Sequence, residues 1–242
     1  QPAGYRLTSA DAELAIEISA TTLIASKLPG LKDIQVYGPV SGKEMLALGR
    51  DALGIYQADV TVGHPKDGLI QLKGDVGHVL LTDTPELSGL RLVTDIQSAE
   101  LARLGDQLDY PLPALGPARL RGTLLSRGTE LVLQGARLNI GTPGQSVLEA
   151  TGMLATQQDD PAQFSVAMDV DMRTNDLVLL GKQFDTTLPA LGPARLRGKL
   201  VSRGSELRLQ DSRLDIGTPG QTTMKALGTV STPLNDPGRF QA

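Results

Sequence analysis

The chain has 242 residues, 40% of them hydrophobic, and a formal net charge of −4 with acidic and basic residues interspersed. Because cysteine is absent, disulfides, thiolate metal sites and cysteine nucleophiles are excluded, and no run of lysine and arginine indicates a nucleic-acid partner. Aromatic residues make up only 3%, so any core must be mainly aliphatic. No stretch approaches the roughly 20 apolar residues that a transmembrane helix needs.

The first part of the chain contains the end of one repeating unit and a complete, more divergent one. Residues 1–37 are predicted to be the tail of a preceding repeat, because ELAIEISATTLIASKLPG has the order of a last strand, a short helix and a proline-containing connector. Residues 38–115 are predicted to be a full repeat, since Gly38 corresponds to Gly116 at an offset of 78 (116 − 38).

A second full repeat is predicted over residues 116–191. Short apolar runs separated by glycine, proline and polar turns favour strands that pair as an antiparallel meander. A break around Gly135 divides the second strand from the third. NDLVLLG, which follows the last strand, is predicted to form a short helix capped by Asn175 and stopped by Gly181. The five predicted strands are 119–126, 130–134, 136–140, 146–157 and 164–174.

The last unit, residues 192–242, is an incomplete repeat. The segment LPALGPARLRG occurs at Leu112 and again at Leu188, an offset of 76 (188 − 112), and roughly three in five positions are identical when 112–163 is aligned with 188–239. The unit breaks off at Phe240, where a fifth strand would begin, so we expect the chain to be a piece of a longer polypeptide. Five strands per unit predict one continuous elongated domain of roughly 70–80 Å.

Period-two alternation places one apolar set on the same face of the sheet in every copy. A sheet with one apolar face must cover it, and the helical pieces are too short to do so. Either the sheet closes into a sandwich or barrel, or it curves into an open groove whose apolar side chains bind something apolar. Side-by-side stacking of repeats favours the groove. Its predicted lining is Leu53, Ile55, Val60, Val62, Ile70, Leu72, Leu90, Leu92, Leu131, Leu133, Leu138, Ile140, Leu148, Leu154, Val166, Met168, Val170, Leu207, Leu209, Leu214, Ile216, Met224 and Val230.

Three glycines recur on this face of the predicted fourth strand: Gly74, Gly152 and Gly228. A glycine inside a strand suits a sharp bend of the sheet or the close approach of a ligand. The fold class predicted is therefore all-β: an elongated, curved antiparallel sheet, an open β-groove of five-stranded repeats joined by short helical or loop connectors.

The repeat resembles the AsmA-like family of bacterial envelope proteins (AsmA/TamB type). The residues that carry the resemblance are GPARLRGTLLSRGTELVLQGARLNIGTPGQSVLEATGMLA, followed by VDMRTNDLVLLG and the LPALGP connector. The family's unit in turn resembles the β-groove of chorein-type bridge-like lipid transfer proteins. The resemblance implies a periplasmic rod, held by an inner-membrane anchor outside this chain and contacting the outer membrane, that shields the acyl chains of phospholipids.

Isolated polar features are better explained by structure than by chemistry. His64 and His78 lie near predicted hairpin ends without carboxylate partners nearby in sequence. Asp169 and Asp171 lie on the polar face at strand spacing, which is typical of a solvated face more often than of paired acids or a Ca²⁺ site. Two further sets keep both interpretations open: Arg119, Arg121, Arg195 and Arg197 suit either lipid phosphates at a groove rim or outer-face solubility, and Met168, Met172 and Met224 suit either lipid contact or core packing.

The expected function is non-enzymatic, with no cofactor, because no nucleophile–base or metal constellation is visible. We expect a segment of a lipid-conducting bridge whose partner is phospholipid or another acyl-chain ligand. The first alternative is a structural scaffold for outer-membrane biogenesis with a sealed core and no lipid cargo. A repetitive adhesin or glycan-binding rod is a weaker alternative, because it would need exposed aromatic residues.

Overall fold

The chain folds as an all-β protein around one open antiparallel sheet, which confirms the predicted elongated, curved architecture. The computed structural model describes residues 12–20, 23–24, 35–36, 40–48, 52–64, 68–80, 87–103, 112–158, 164–184, 186–203, 206–218 and 223–233. The strands are β1 (Ala12–Ala20), β2 (Leu23–Ile24), β3 (Gln35–Val36), β4 (Val40–Leu48), β5 (Ala52–His64), β6 (Gly68–Asp75), β7 (Gly77–Leu80), β8 (Leu87–Ser88), β9 (Arg91–Ser98), β10 (Ala118–Arg127), β11 (Glu130–Gly141), β12 (Ser146–Gln157), β13 (Phe164–Thr174), β14 (Ala194–Arg203), β15 (Glu206–Gly217) and β16 (Thr223–Pro233).

The sheet follows the chain as a meander, in the order β1-β4-β5-β6-β9-β10-β11-β12-β13-β14-β15-β16. Strands β7 and β8 form a small ribbon on β5, and β2 pairs with β3 in a separate two-stranded sheet. Within the described ranges β1 pairs only with β4 and β16 only with β15, so the main sheet does not close on itself. The twelve strands of this path lie roughly 4.8 Å apart and extend over about 53 Å along the sheet, less than the length expected from the sequence.

Each of the two complete units, 38–115 and 116–191, contributes four strands to this path, so the prediction of five strands per repeat is wrong. The predicted second and third strands, 130–134 and 136–140, are one continuous strand, β11. Gly135 does not end the strand; it is the extra residue of a β-bulge, with a φ of 62°. The equivalent residues Gln57 (φ 52°) and Asp211 (φ 48°) adopt the same left-handed conformation in the other two units.

The bulge explains why the apolar pattern survives in one long strand. Leu131 and Leu133 have odd numbers, whereas Leu138 and Ile140 have even numbers, so an unbroken strand would place the two pairs on opposite faces. The register of β11 against β12 shifts between Leu133 and Ala136, and this one-residue insertion returns both pairs to the same face.

A short helix follows β13, as predicted, but its ends differ from the prediction. Helix α1 (Leu177–Gln183) is capped by Asp176, whose carboxylate accepts a 2.8 Å hydrogen bond from the backbone N–H of Val178. Asn175 instead donates its side-chain amide to the Gly144 carbonyl, 2.8 Å away. Gly181 does not stop the helix; it is buried inside it, and an added Cβ would lie 2.6 Å from the Thr186 carbonyl oxygen.

The connectors between units repeat their hydrogen bonds as well as their sequence. Leu115 N–H donates to the Pro113 carbonyl and Leu191 N–H donates to the Pro189 carbonyl, both at 2.9 Å. The proline carbonyls of the Gly-Pro elements then accept hydrogen bonds from the last residues of β11 and β15: Gly141 N–H donates to Pro117 and Gly217 N–H donates to Pro193, both at 2.8 Å. The duplicated LPALGP sequence is therefore the joint that returns the chain to the first strand of the next unit.

Candidate functional site: the apolar face of the sheet

One face of the main sheet is apolar across the units, and we call it the apolar face. Cross-strand pairing defines it through two rows of side chains: Leu133, Leu154 and Val166 in one, and Leu138, Ala150 and Val170 in the other. The first row continues on β10 through Leu124, which opposes Leu133, and the second through Leu120, which opposes Leu138.

The strand registers place the predicted lining residues together on this face, with a graded exposure to solvent. Six are buried: Leu90, Leu92, Leu133, Ile140, Met168 and Ile216. Fifteen are partly exposed: Ile55, Val60, Val62, Ile70, Leu72, Leu131, Leu138, Leu148, Leu154, Val166, Val170, Leu207, Leu209, Leu214 and Val230. Met224 is 46% exposed, and the side chain of Leu53 lies outside the described residues.

The sequence interpretation missed the contribution of the first strand in each unit. Leu120 and Leu124 on β10 pack against the buried cluster of Leu133, Ala136, Ala150 and Met168. Their equivalents Leu196 and Leu200 oppose Met172 and Met168 on β13. The sequence signal for this contribution was a pair of leucines four residues apart with a glycine midway between them. The glycines, Gly122 and Gly198, leave room for Leu133 and Leu209 on the neighbouring strand. A Cβ added at these glycines would lie 2.9 and 3.0 Å from those leucines.

The centre of the apolar face is densely packed. Ala136 is 1% exposed and Met168 4% exposed, and the described residues that pack around them belong to strands β10 to β13 of the main sheet. Burial therefore comes from neighbouring side chains on the same curved sheet. The opposite face is not exposed to solvent everywhere, because Val132 and Ala155, which pair with each other on that face, are also buried.

One end of the apolar face is covered by the joint between units. Leu101 and Leu115 are buried against Ala118 and Ile140, and Leu180 of helix α1 packs on the same cluster. A hollow of about 590 Å³ lies between the connector, the turn before β12 and helix α1, and it is lined by residues that include Leu112, Gln145, Asn175 and Leu179. The helix and connectors thus pack against one end of the apolar face.

Glycine is required at position 152 because the backbone of the neighbouring strand β13 approaches closely there. A Cβ at this position would collide with the carbonyl oxygen of Ala167 on the next strand and would lie 2.7 Å from the Cα of Met168. Gly74 is in the same situation against the carbonyl of Arg91. Of the two interpretations that the sequence offered, a bend of the sheet or the close approach of a ligand, neither is needed to explain Gly74 and Gly152, where close approach of a neighbouring strand requires glycine.

The opposite face, which we call the polar face, carries a repeated pattern of arginine–aspartate pairs. Arg195 donates its Nε and Nη2 to the two carboxylate oxygens of Asp171, at 2.9 and 2.5 Å. Arg119 makes the same bidentate contact with Asp95 in the preceding unit, also at 2.9 and 2.5 Å. Arg173 adds a further 2.9 Å bond to Asp171. These arginines are already paired with carboxylates of the sheet, which favours the outer-face interpretation over phosphates at a groove rim.

The paired carboxylates titrate abnormally. The hydrogen bond from Arg195 holds the pKa of Asp171 well below its ordinary value, with a further contribution from Arg173. The hydrogen bond from Arg119 likewise lowers the pKa of Asp95. Because both carboxylates bind protons more weakly in the folded state, their contribution to stability is present above the unfolded-state pKa of about 4 and is lost as the pH falls below it.

We therefore expect the free energy of unfolding to fall as the pH is lowered from about 6 to about 3, and to fall less in Asp171→Asn. At neutral pH the substitution should cost about 1 kcal/mol, since the arginines are substantially exposed to solvent. Asp169→Asn is the matched control, since it removes one carboxylate from the same strand and leaves the bidentate pair of Arg195 and Asp171 in place. Urea unfolding followed by circular dichroism at each pH measures the effect, and an identical pH slope in all three proteins would contradict it.

The other polar residues that the sequence singled out form no metal-binding group in the part of the chain that the structure describes. Asp169 and Asp171 border a shallow hollow of about 470 Å³ on the polar face, together with Glu149, Arg197 and Lys199. No group of three histidine, aspartate or glutamate side chains capable of holding a metal occurs among the described residues. The side chains of His64 and His78 lie outside them.

These features define a class of protein: an open antiparallel sheet built from repeats, with one apolar and one charged face. Comparison with known proteins adds no relative, because no family model, no curated protein and no solved structure matches this chain. Among the described residues, no helix has the length and apolar character needed to cross a membrane.

Proposed function

We propose that this chain is a segment of a bridge-like protein whose apolar groove shields the acyl chains of phospholipids moving between the inner and outer membranes. The observation that carries the proposal is the apolar face itself. It continues from β4 to β16 through matched registers, and within the described residues the main sheet stays open rather than closing over this face. An uncovered face of this size suits an apolar ligand.

The chemistry of the lining supports an acyl chain as the ligand. The lining side chains are aliphatic or methionine, so they offer contact without the shape preference of aromatic rings. Each methylene removed from water gains about 0.8 kcal/mol, and the repeated lining offers that gain at every unit. An acyl chain can then slide along the groove with little net change in free energy.

The remaining parts of the proposal derive from the resemblance to AsmA-like proteins. The chain would work in the periplasm, as part of a longer protein with an inner-membrane anchor and outer-membrane contacts. The arginine–aspartate pairs of the polar face fit the water-facing exterior of such a rod.

A structural scaffold for outer-membrane biogenesis is the second candidate, and the dense centre of the apolar face favours it. With Met168 and Ala136 almost fully buried, the sheet already satisfies part of its own apolar surface. This candidate predicts no bound lipid, whereas the groove predicts phospholipid retained after purification. Native mass spectrometry of the purified chain separates the two.

Photo-crosslinking gives the sharper prediction. A photoreactive residue at Leu148 or Val166, both partly exposed on the apolar face, should capture phospholipid in cells. Leu133 and Met168 are unsuitable positions for the probe, because they are deeply buried and a bulky residue there would disturb the packing. Glu149 and Asp169, exposed on the polar face, are the matched controls. Equal capture at both pairs, or none at either, would count against the groove.

A further inference from the structure

The hollow of about 590 Å³ at the joint between units is walled by two of the segments that the chain repeats without change. LPALGPARLRG stands at 112–122 and 188–198, and IGTPGQ stands at 140–145 and 216–221. The first segment supplies Leu112, Pro113 and Ala114 to the hollow, and the second supplies Gly144 and Gln145. Its volume lies within the range of roughly 300–1,000 Å³ that is usual for ligand sites.

Helix α1 presents one side to this hollow and the other to the sheet. Leu179, Lys182 and Gln183 line the hollow, at the spacing of three and four residues that brings side chains together on one side of a helix. Leu177 and Gly181, also four residues apart, are buried. Packing of the helix on the sheet therefore leaves Lys182 and Gln183 available to a ligand.

The side-chain oxygen of Gln183 is buried without a hydrogen-bond donor. A buried acceptor without a donor is unfavourable, so its presence at the wall of a hollow points to a donor supplied by a ligand. The preceding unit keeps this glutamine as Gln107, at the offset of 76 (183 − 107), although the residue before it changes from aspartate to lysine. The acceptor is thus the feature that the two units share.

The hollow continues directly into the apolar face. Ser146 and Thr174 line the hollow and lie opposite each other on β12 and β13, where their hydroxyls form a 3.1 Å hydrogen bond. The next row on the same face is Leu148 opposite Met172, two residues and about 7 Å along each strand. Leu112 lines the hollow and packs on the same cluster as Leu148. A ligand that occupies the hollow can therefore extend onto the apolar face.

The charges of the hollow favour a zwitterion. Its lining contains one acid, Asp176, and one base, Lys182. One carboxylate oxygen of Asp176 accepts the N–H of Val178, which leaves the other oxygen for a cation. A ligand with one negative and one positive group can thus be matched at both, with the Gln183 oxygen as a further acceptor for an N–H of the positive group.

We propose that the hollow binds the phosphoethanolamine head of a phospholipid whose acyl chains lie on the apolar face. The Lys182 ammonium attracts the phosphate, and the ethanolamine ammonium donates to the Gln183 oxygen beside the Asp176 carboxylate. A choline head has the same charges but no N–H to donate, and a glycerol head has no positive charge. This inference rests on the proposed function and adds to it the class of lipid.

Competitive loading of the purified chain tests the head site. The chain is incubated in detergent with an equimolar mixture of dioleoyl phosphatidylethanolamine, phosphatidylcholine and phosphatidylglycerol, and native mass spectrometry counts the retained lipid. The acyl chains are identical, so the apolar face contributes equally to each lipid. We expect the ethanolamine lipid to be retained about fivefold over the choline lipid, which is the effect of one net hydrogen bond.

Substitutions at Gln183 separate the acceptor from the shape of the hollow. Gln183→Leu should bring the ratio of ethanolamine to choline lipid close to one, by lowering retention of the ethanolamine lipid alone. Gln183→Glu keeps a side-chain acceptor and should keep the preference. Gln134→Leu makes the same change at an exposed glutamine outside the hollow and should behave as the wild type. Circular dichroism of each variant checks that the sheet is intact.

The outcomes distinguish the head site from the groove. Equal retention of the three lipids, or a preference that survives in Gln183→Leu, overturns the head site while the groove stands. Retention of no lipid overturns both. Glycerophosphoethanolamine, the same head without acyl chains, should not displace bound lipid at equal concentration. Displacement would assign the hollow to a free phosphate ester and overturn its assignment to a lipid.

Discussion

Met168→Asp should unfold the sheet at far lower urea concentrations than the wild type needs, with a loss of at least about 4 kcal/mol. Met168 is 4% exposed and packs with Leu133, Ala136 and Ala150, so the new carboxylate would have no cation and no water. The side chain also sits opposite Gly152 and Leu200, neither of which can donate a side-chain hydrogen bond. Urea unfolding followed by circular dichroism measures the loss.

The adjacent residue supplies the control for this prediction. Asp169→Met makes the reverse change on the same strand, one residue away and on the polar face, where Asp169 is exposed. Its effect should stay within about 1 kcal/mol, which includes the loss of the negative charge opposite Lys199 on β14. Comparable losses in the two variants would mean that the sheet does not have the two faces described above.

Gly152→Ala should cost more than about 3 kcal/mol, although it adds a single methyl group. The methyl would collide with the Ala167 carbonyl oxygen and lie 2.7 Å from the Cα of Met168, so strands β12 and β13 would have to separate. The backbone at Gly152 also has a φ of 158°, a conformation that residues with a side chain rarely adopt. The unfolding free energy from urea titration reports the cost.

Gly228→Ala is the same substitution at the equivalent place in the last unit, where no atom of the described residues lies within 4 Å of the added Cβ. It should be neutral or stabilising by up to about 1 kcal/mol, because alanine restricts the unfolded chain. If the two substitutions cost the same, contact with the neighbouring strand would not be the cause of the loss at Gly152.

The course of the strands was predictable only in part. Period-two alternation identified 146–157 and 164–174, which the structure forms as β12 and β13 with the same ends. The same rule split β11 into two strands at Gly135, because the parity of its apolar residues changes there. A bulge and a turn both change the parity of the apolar residues in the sequence. They are distinguished only by the structure, in which the residues before and after Gly135 pair with the same continuous strand, β12.

The helix and the polar face show the same limit. A cap between β13 and the next unit was predictable from NDLVLLG, but Asn175 and Asp176 are both competent caps. Contact of Asn175 with the Gly144 carbonyl leaves the cap to Asp176. Likewise, the alternating arginines marked an outward face, whereas their bidentate pairing with Asp95 and Asp171 depends on which strands are neighbours.

Sequence alone established the repeat, its period, the all-β class and the set of aliphatic residues that share a face, because these depend on local spacing along one chain. The tertiary structure decided the four-strand unit, the reason for Gly152 and the pairing of the arginines. Each of these depends on atoms of a strand that is distant in sequence but adjacent in the sheet. Such contacts cannot be predicted from the residues that neighbour each position in the chain.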